Sequence, residues 1–135
     1  MYFLDSNIII EFLRGRLPEA LDMLNNTDTR LIKISSVVEG ELLVGAQKSA
    51  NPERNRRLVE SFICNFDIVP FGSQDAHVYA RIRSDLEQSG RKIGPNDLLI
   101  AASALAHDGT LVTNNVREFK RVPDLRLLSI HEVDW

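Results

Sequence analysis

The chain has 135 residues, 44% of them apolar, which fits one domain spanning 1–135 around one hydrophobic core. Its single cysteine, Cys64, excludes an internal disulfide and a Cys-rich zinc cluster. No apolar run reaches the roughly 18 residues of a membrane helix, and "MYFLDSNIII" lacks the basic start of a signal peptide, so the expected location is the cytoplasm, with no membrane partner.

The formal net charge is −3, yet arginines outnumber lysines twelve to four. The cations fall in groups, among them Arg81 with Arg83, Arg91 with Lys92, and Arg117 with Lys120 and Arg121. Arginine suits bidentate phosphate contacts, although such groups also occur as plain solvated helix faces.

In chain order, "YFLD" reads as a strand ending at Asp5, and "SNIIIEFLRG" as a helix stopped by Gly15. Pro18 opens a second helix over 18–26, and "LIKIS" is a second strand. Ser36 and Glu39 form a capping box for a helix through about Gln47. Asn51-Pro52 opens a charged helix through about Phe66, "DIVP" is a third strand, and Ser73 opens a long helix through about Ser89. After the loop "GRKIGP", Pro95 begins a helix closed by Gly109. "TLVT" is a fourth strand and "LRLLSI" a short fifth. This alternation predicts an α/β fold with a central parallel sheet of four or five strands and helices on both faces.

Ligands of such sheets bind at the carboxyl ends of the strands, where helix N-termini also lie. Asp5 ends the first strand, Asp97 opens the helix before the fourth, and Thr113, Asn115 and Glu118 follow the fourth. Glu41 lies about 7.5 Å into its helix and leans back toward the N-terminus. Singly, each has a plainer reading: Asp5 as a helix cap, Asp97 as a dipole partner, Asn115 as a turn residue. Together, the carboxylates would repel one another unless a hard divalent cation lay among them, and oxygen ligands suit Mg²⁺ or Mn²⁺ better than Zn²⁺. Such a site activates water against a phosphodiester.

"LDSN" at 4–7, "ISSVVEGELLVGAQKS" at 34–49, "GRKIGPNDLLIAASAL" at 90–105 and "TLVTNNVREFKRVPDL" at 110–125 resemble the PIN-domain nucleases, and within them the VapC toxins of bacterial toxin–antitoxin pairs. The resemblance runs in order over nearly the whole chain. It implies a three-layer α/β/α PIN fold and an endoribonuclease using Mg²⁺ or Mn²⁺. It also implies a homodimer and inhibition by a small VapB-type antitoxin. The metal-binding positions correspond to Asp5, Glu41 and Asp97. Glu118 stands where many relatives have aspartate and joins the catalytic set, directly or through water. Asn7, Thr113 and Asn115 match supporting polar positions, and Ser6 replaces a threonine while keeping the hydroxyl. Glu39 cannot share the site with Glu41, being about 200° away around the helix. The blocks "GPNDLLIAA" and "TNNVREFKRVP" and the closing Trp135 resemble the enterobacterial subgroup that cuts initiator tRNA in its anticodon loop. Arg83, Arg91, Lys92 and Arg117 are the candidates for RNA contact.

His77, His107 and His131 form no metal spacing, and metal-bound water needs no histidine base. Cys64 reads as buried packing; Phe62, Phe66 and Phe71 read as core or interface. Two rival readings remain at this stage. A haloacid-dehalogenase-like phosphatase would use Asp5 as nucleophile but needs a second aspartate at position 7, which is Asn7. A catalytically degenerate PIN-like partner-binding module would not need the intact acidic set.

Overall fold

The computed structural model describes residues 1–130; His131 and Trp135 lie outside the described residues. Strands β1 (Tyr2–Leu4), β2 (Ile32–Ser35), β3 (Asp67–Val69), β4 (Thr110–Val112) and β5 (Arg126–Leu128) form one sheet in the order β3-β2-β1-β4-β5. Each pairing is parallel. The connecting helices are α1 (Ser6–Leu13), α2 (Pro18–Asn26), α3 (Ser36–Gln47), α4 (Pro52–Ile63), α5 (Ser73–Gln88), α6 (Pro95–Ala106) and α7 (Val116–Phe119).

Successive strand residues face opposite sides of a sheet. Phe3 and Leu4 in β1 are both buried, as are Leu111 and Val112 in β4. Both faces of the central strands are therefore covered by helices, the three-layer arrangement expected of a parallel sheet. Ile8, Ile9, Val38, Leu42, Ile82 and Ile100 bring the helices onto this core. Each such side chain contributes about 1.5–3 kcal/mol by leaving water.

The five expected strands and the longer helices form close to their expected limits, and the differences have local causes. The cap of α3 is Ser35 rather than Ser36: its side chain accepts a hydrogen bond from the Val38 amide at 3.2 Å. The Ser36 hydroxyl instead accepts from the Phe71 amide at 3.1 Å and ties α3 to the segment after β3. Helix α4 ends at Ile63, not near Phe66, because the Asn65 side chain takes over the carbonyls of Ser61 and Phe62. Cys64 then falls beyond the buried Phe62–Ile63 pair and is exposed, its thiol 3.2 Å from the Ser61 carbonyl. The reading of Cys64 as buried packing is corrected accordingly. At the end of α6 the left-handed residue is Asp108 (φ 53°), while Gly109 answers a different need. A Cβ at position 109 would lie 2.6 Å from the Phe3 ring.

Candidate active site

The strand order reverses between β1 and β4, with β2 and β3 on one side and β5 on the other. Crevices form at the carboxyl ends of such a pair. Asp5 and Thr113 are the residues that leave β1 and β4 there. The Asp5 amide donates to the Val112 carbonyl at 3.0 Å, which ties the two exits together. The Asp5 carboxylate is buried. One oxygen accepts from the Ser6 amide at 2.8 Å and the other from the Thr113 hydroxyl at 2.7 Å. Asp5 is thus the N-cap of α1, and capping is what aims it at the crevice. Burial raises its pKa, opposed by the hydrogen bonds from Thr113 and Ser6.

Glu41 reaches the same crevice from the second turn of α3. Burial raises its pKa and the charge of Asp5 adds to the rise, while Ser6 and Asn96 favour the charged form. Its Oε1 is buried and has no hydrogen-bond partner. Asp97 stands in the first turn of α6, half-buried. Burial pushes its pKa up to about 7, and repulsion from Asp5, Glu118 and Glu41 adds to the shift. Four acidic side chains from four separated segments therefore share one electrostatic environment.

Glu118 behaves differently. Its Oε1 accepts from the Gly94 amide at 2.8 Å and its Oε2 from the Asn115 side chain at 3.1 Å. The Gly94 bond, then the Asn115 bond, hold its pKa below the ordinary value. The Asn115 amide donates to the Thr113 hydroxyl at 3.0 Å, so one chain of contacts runs from Glu118 through Asn115 and Thr113 to Asp5. Asn7 is exposed in the first turn of α1, next to Ser6. Arg91, Lys92 and Arg117 are exposed near this edge. Arg83 lies farther back along α5 and is engaged by Glu87 at 2.9 Å and the Tyr79 hydroxyl at 2.7 Å.

Among the described residues, no three His, Cys, Asp or Glu side chains draw together tightly enough to enclose an ion by themselves. The donor set nonetheless fits a hard divalent cation. An unpartnered buried carboxylate oxygen at Glu41 and a carboxyl repelled by three others at Asp97 are both relieved by positive charge. An ion that keeps several waters needs only one or two direct carboxylates.

The PIN-domain family model matches residues 2–125. The chain is a PIN domain of the VapC family. It is 40% identical over 131 residues to Ribonuclease VapC2 of Rickettsia felis, covering 94% of this chain and 96% of that one. It is 37% identical to the tRNA(fMet)-specific endonuclease VapC of Salmonella typhimurium, covering 93% and 95%. The crystal structure of DNA-bound VapBC from Salmonella typhimurium superposes with a TM-score of 0.91 at 35% identity, covering 96% of this chain and 97% of that one.

Two contributors to this PIN domain's acidic edge had no site role in the sequence reading, which noted Ser6 only for its retained hydroxyl and passed over Asn96. Ser6 and Asn96 both bear on Glu41. Their signal was adjacency: each neighbours a predicted site aspartate. The histidines with described positions stay outside the site. His77 contacts its own helix at the Ser73 carbonyl, and His107 contacts the Ser103 carbonyl at the far end of α6. No described helix is long and apolar enough to cross a membrane.

Proposed function

We propose that this PIN domain is the toxin of a type II toxin–antitoxin pair, an endoribonuclease that hydrolyses RNA phosphodiesters with Mg²⁺ or Mn²⁺. The observation that carries the reading is the convergence of Asp5, Glu41, Asp97 and Glu118 at the strand-order reversal, where burial first and the charges of the other three next push Asp97 up to about 7. Asp5, Glu41 and Asp97 hold the ion. When bound, the ion supplies a nucleophilic water and stabilises charge on the phosphodiester. Thr113 fixes the Asp5 carboxylate, while Asn115 joins Thr113 to Glu118. Asn7, Arg91, Lys92 and Arg117 lie where an RNA backbone approaches, and Arg83 extends that surface along α5.

Initiator tRNA is the substrate class best supported, since the Salmonella relative bears that specificity in its name. The protein acts as a cytoplasmic homodimer. A VapB-type antitoxin restrains it, a partner supported by the VapBC complexes among its structural neighbours. Phe12, Leu21, Leu24, Leu58, Phe62 and Phe66 line an apolar groove of about 440 Å³. Its rim leaves Leu21 and Leu58 exposed in the chain alone.

The test is incubation with initiator tRNA and with unrelated structured RNA, in Mg²⁺, Mn²⁺ or EDTA. Cutting that needs the ion, favours the initiator tRNA and falls by about a thousandfold in Asp5→Ala supports the proposal. Cutting that persists in EDTA, or no cutting of any RNA, overturns it.

A further inference from the structure

The 91–94 loop links the end of α5 to the first turn of α6, and its backbone is tied down at three points. The Arg91 amide donates to the Leu86 carbonyl at 2.9 Å, closing the end of α5. Arg121, just beyond α7, donates from Nη1 to the Lys92 carbonyl at 3.0 Å. Glu118, within α7, accepts from the Gly94 amide at 2.8 Å. Two of the three ties therefore come from α7 and its end, some 24 to 29 residues later in the chain.

The loop lies directly against the acidic edge. A Cβ built on Gly94 would lie 3.6 Å from Asp97 Oδ2 and 3.8 Å from Glu118 Oε1. Its cations, Arg91 and Lys92, are exposed. Lys92 and Ile93 also form one wall of a cleft of about 240 Å³ whose other walls include Tyr79 and Arg83. Held in place, the loop presents positive charge beside a strongly negative crevice. Released, it would leave that crevice to repel a polyanion. An aspartate at position 118 would be one methylene shorter, so the extra length of glutamate has a use here.

We propose that Glu118 is a positioning residue that clamps the 91–94 loop between Gly94 and Asn115, so that Arg91 and Lys92 receive the RNA backbone next to the acidic crevice. The inference rests on the RNA-cutting reading of the site, and it adds a loop-holding role to the place of Glu118 beside Asp97 in the acidic set. Arg121 is the second half of the clamp.

The test compares Glu118→Gln with Glu118→Ala, with Arg121→Ala as a third variant that leaves the acidic set whole. Both substitutions at 118 remove the same charge. Glutamine still accepts from Gly94, and Asn115 can turn its amide to meet it, whereas alanine does neither. Three quantities are read: amide hydrogen exchange at Gly94, RNA affinity in EDTA, and the split between KM and kcat with Mn²⁺. In Glu118→Ala, Gly94 exchange is expected to be about tenfold faster than in Glu118→Gln, with RNA bound roughly three- to tenfold more weakly and the loss carried by KM. Arg121→Ala moves in the same direction by less. If the two variants at 118 exchange and bind RNA alike, and both lose Mn²⁺ affinity equally in calorimetric titration, Glu118 is an ion ligand and the clamp is overturned. Should the wild-type chain bind no RNA at all, the functional reading fails. The exchange comparison then still decides the clamp by itself.

Discussion

Two aspartates begin the antiparallel pair α5 and α6, and their fates differ. Asp75, in the first turn of α5, is only 2% exposed. It accepts from the Ser103 hydroxyl at 2.9 Å and has the His107 ring 4.0 Å away, both near the end of α6. Asp97, in the first turn of α6, is more open to solvent but faces Asp5, Glu118 and Glu41. Both carboxylates enjoy the favourable end of a helix dipole. The contrast shows that burial of an acid does not mark a functional site. Asp75 is surrounded by groups that satisfy it, and Asp97 by groups that oppose it, and only the second arrangement calls for something further to bind.

The largest expected effect breaks the comparison at Asp97. Asp97→Asn should lower RNA cleavage by about a thousandfold while leaving the metal-free protein as stable as wild type, or more so. The sign follows from linkage. Folding raises this carboxyl from 3.8 to about 7, so the folded chain binds the proton more tightly than the unfolded chain. Stability relative to the variant is therefore greatest below about pH 4 and falls as pH rises toward 7. After discounting for solvent screening of a half-exposed group, the change is on the order of 1–2 kcal/mol. Melting curves of both proteins in EDTA across this range measure it. Saturating Mg²⁺ should reverse the ranking at pH 7. A fall in metal-free melting temperature for Asp97→Asn would make Asp97 a structural group like Asp75.

The converse experiment is Asp75→Ala. It leaves the buried Ser103 hydroxyl without its acceptor and opens a small void, at a cost of about 2–4 kcal/mol in urea unfolding. Cleavage per folded molecule should stay at the wild-type level. Asp75→Asn keeps an oxygen for Ser103 and should cost less than half as much. Loss of cleavage without loss of stability would show that the two ends of α6 are coupled.

The acidic edge was legible because alternation of strands and helices dictates which ends of the elements meet. Asp5, Asp97 and Thr113 sit at such ends, and Glu41 is within a side chain's reach of them. What was not legible depended on choices between neighbours. Ser35 and Ser36 are adjacent and chemically alike, and only the approach of Phe71 decides which one caps α3. Cys64 shifted from core to surface because α4 ends early at an asparagine that competes for its last carbonyls. Helix α7 is four residues long, too short to display a helical period. Glu118 was readable as an acid near the site, but its bond to Gly94 joins a loop to a short helix 24 residues later, a pairing no local pattern encodes.

The smallest effect concerns Thr113, which does for Asp5 what Ser103 does for Asp75: a fully buried hydroxyl donates to a buried carboxylate. Thr113→Val keeps the shape and removes the donor, and the Asn115 amide loses its acceptor as well. Stability should fall by only about 1 kcal/mol, because burial already strains the Asp5 charge. The pH profile should respond more clearly. Without Thr113 the Asp5 carboxyl rises further, so protons compete longer with the divalent ion, and the acid limb of cleavage moves to higher pH while the plateau drops by about tenfold. Thr113→Ser should restore the wild-type limb. An acid limb that stays in place in the valine variant would reduce Thr113 to packing, and the hydrogen-bonded chain from Glu118 to Asp5 would then carry no electrostatic consequence for the site.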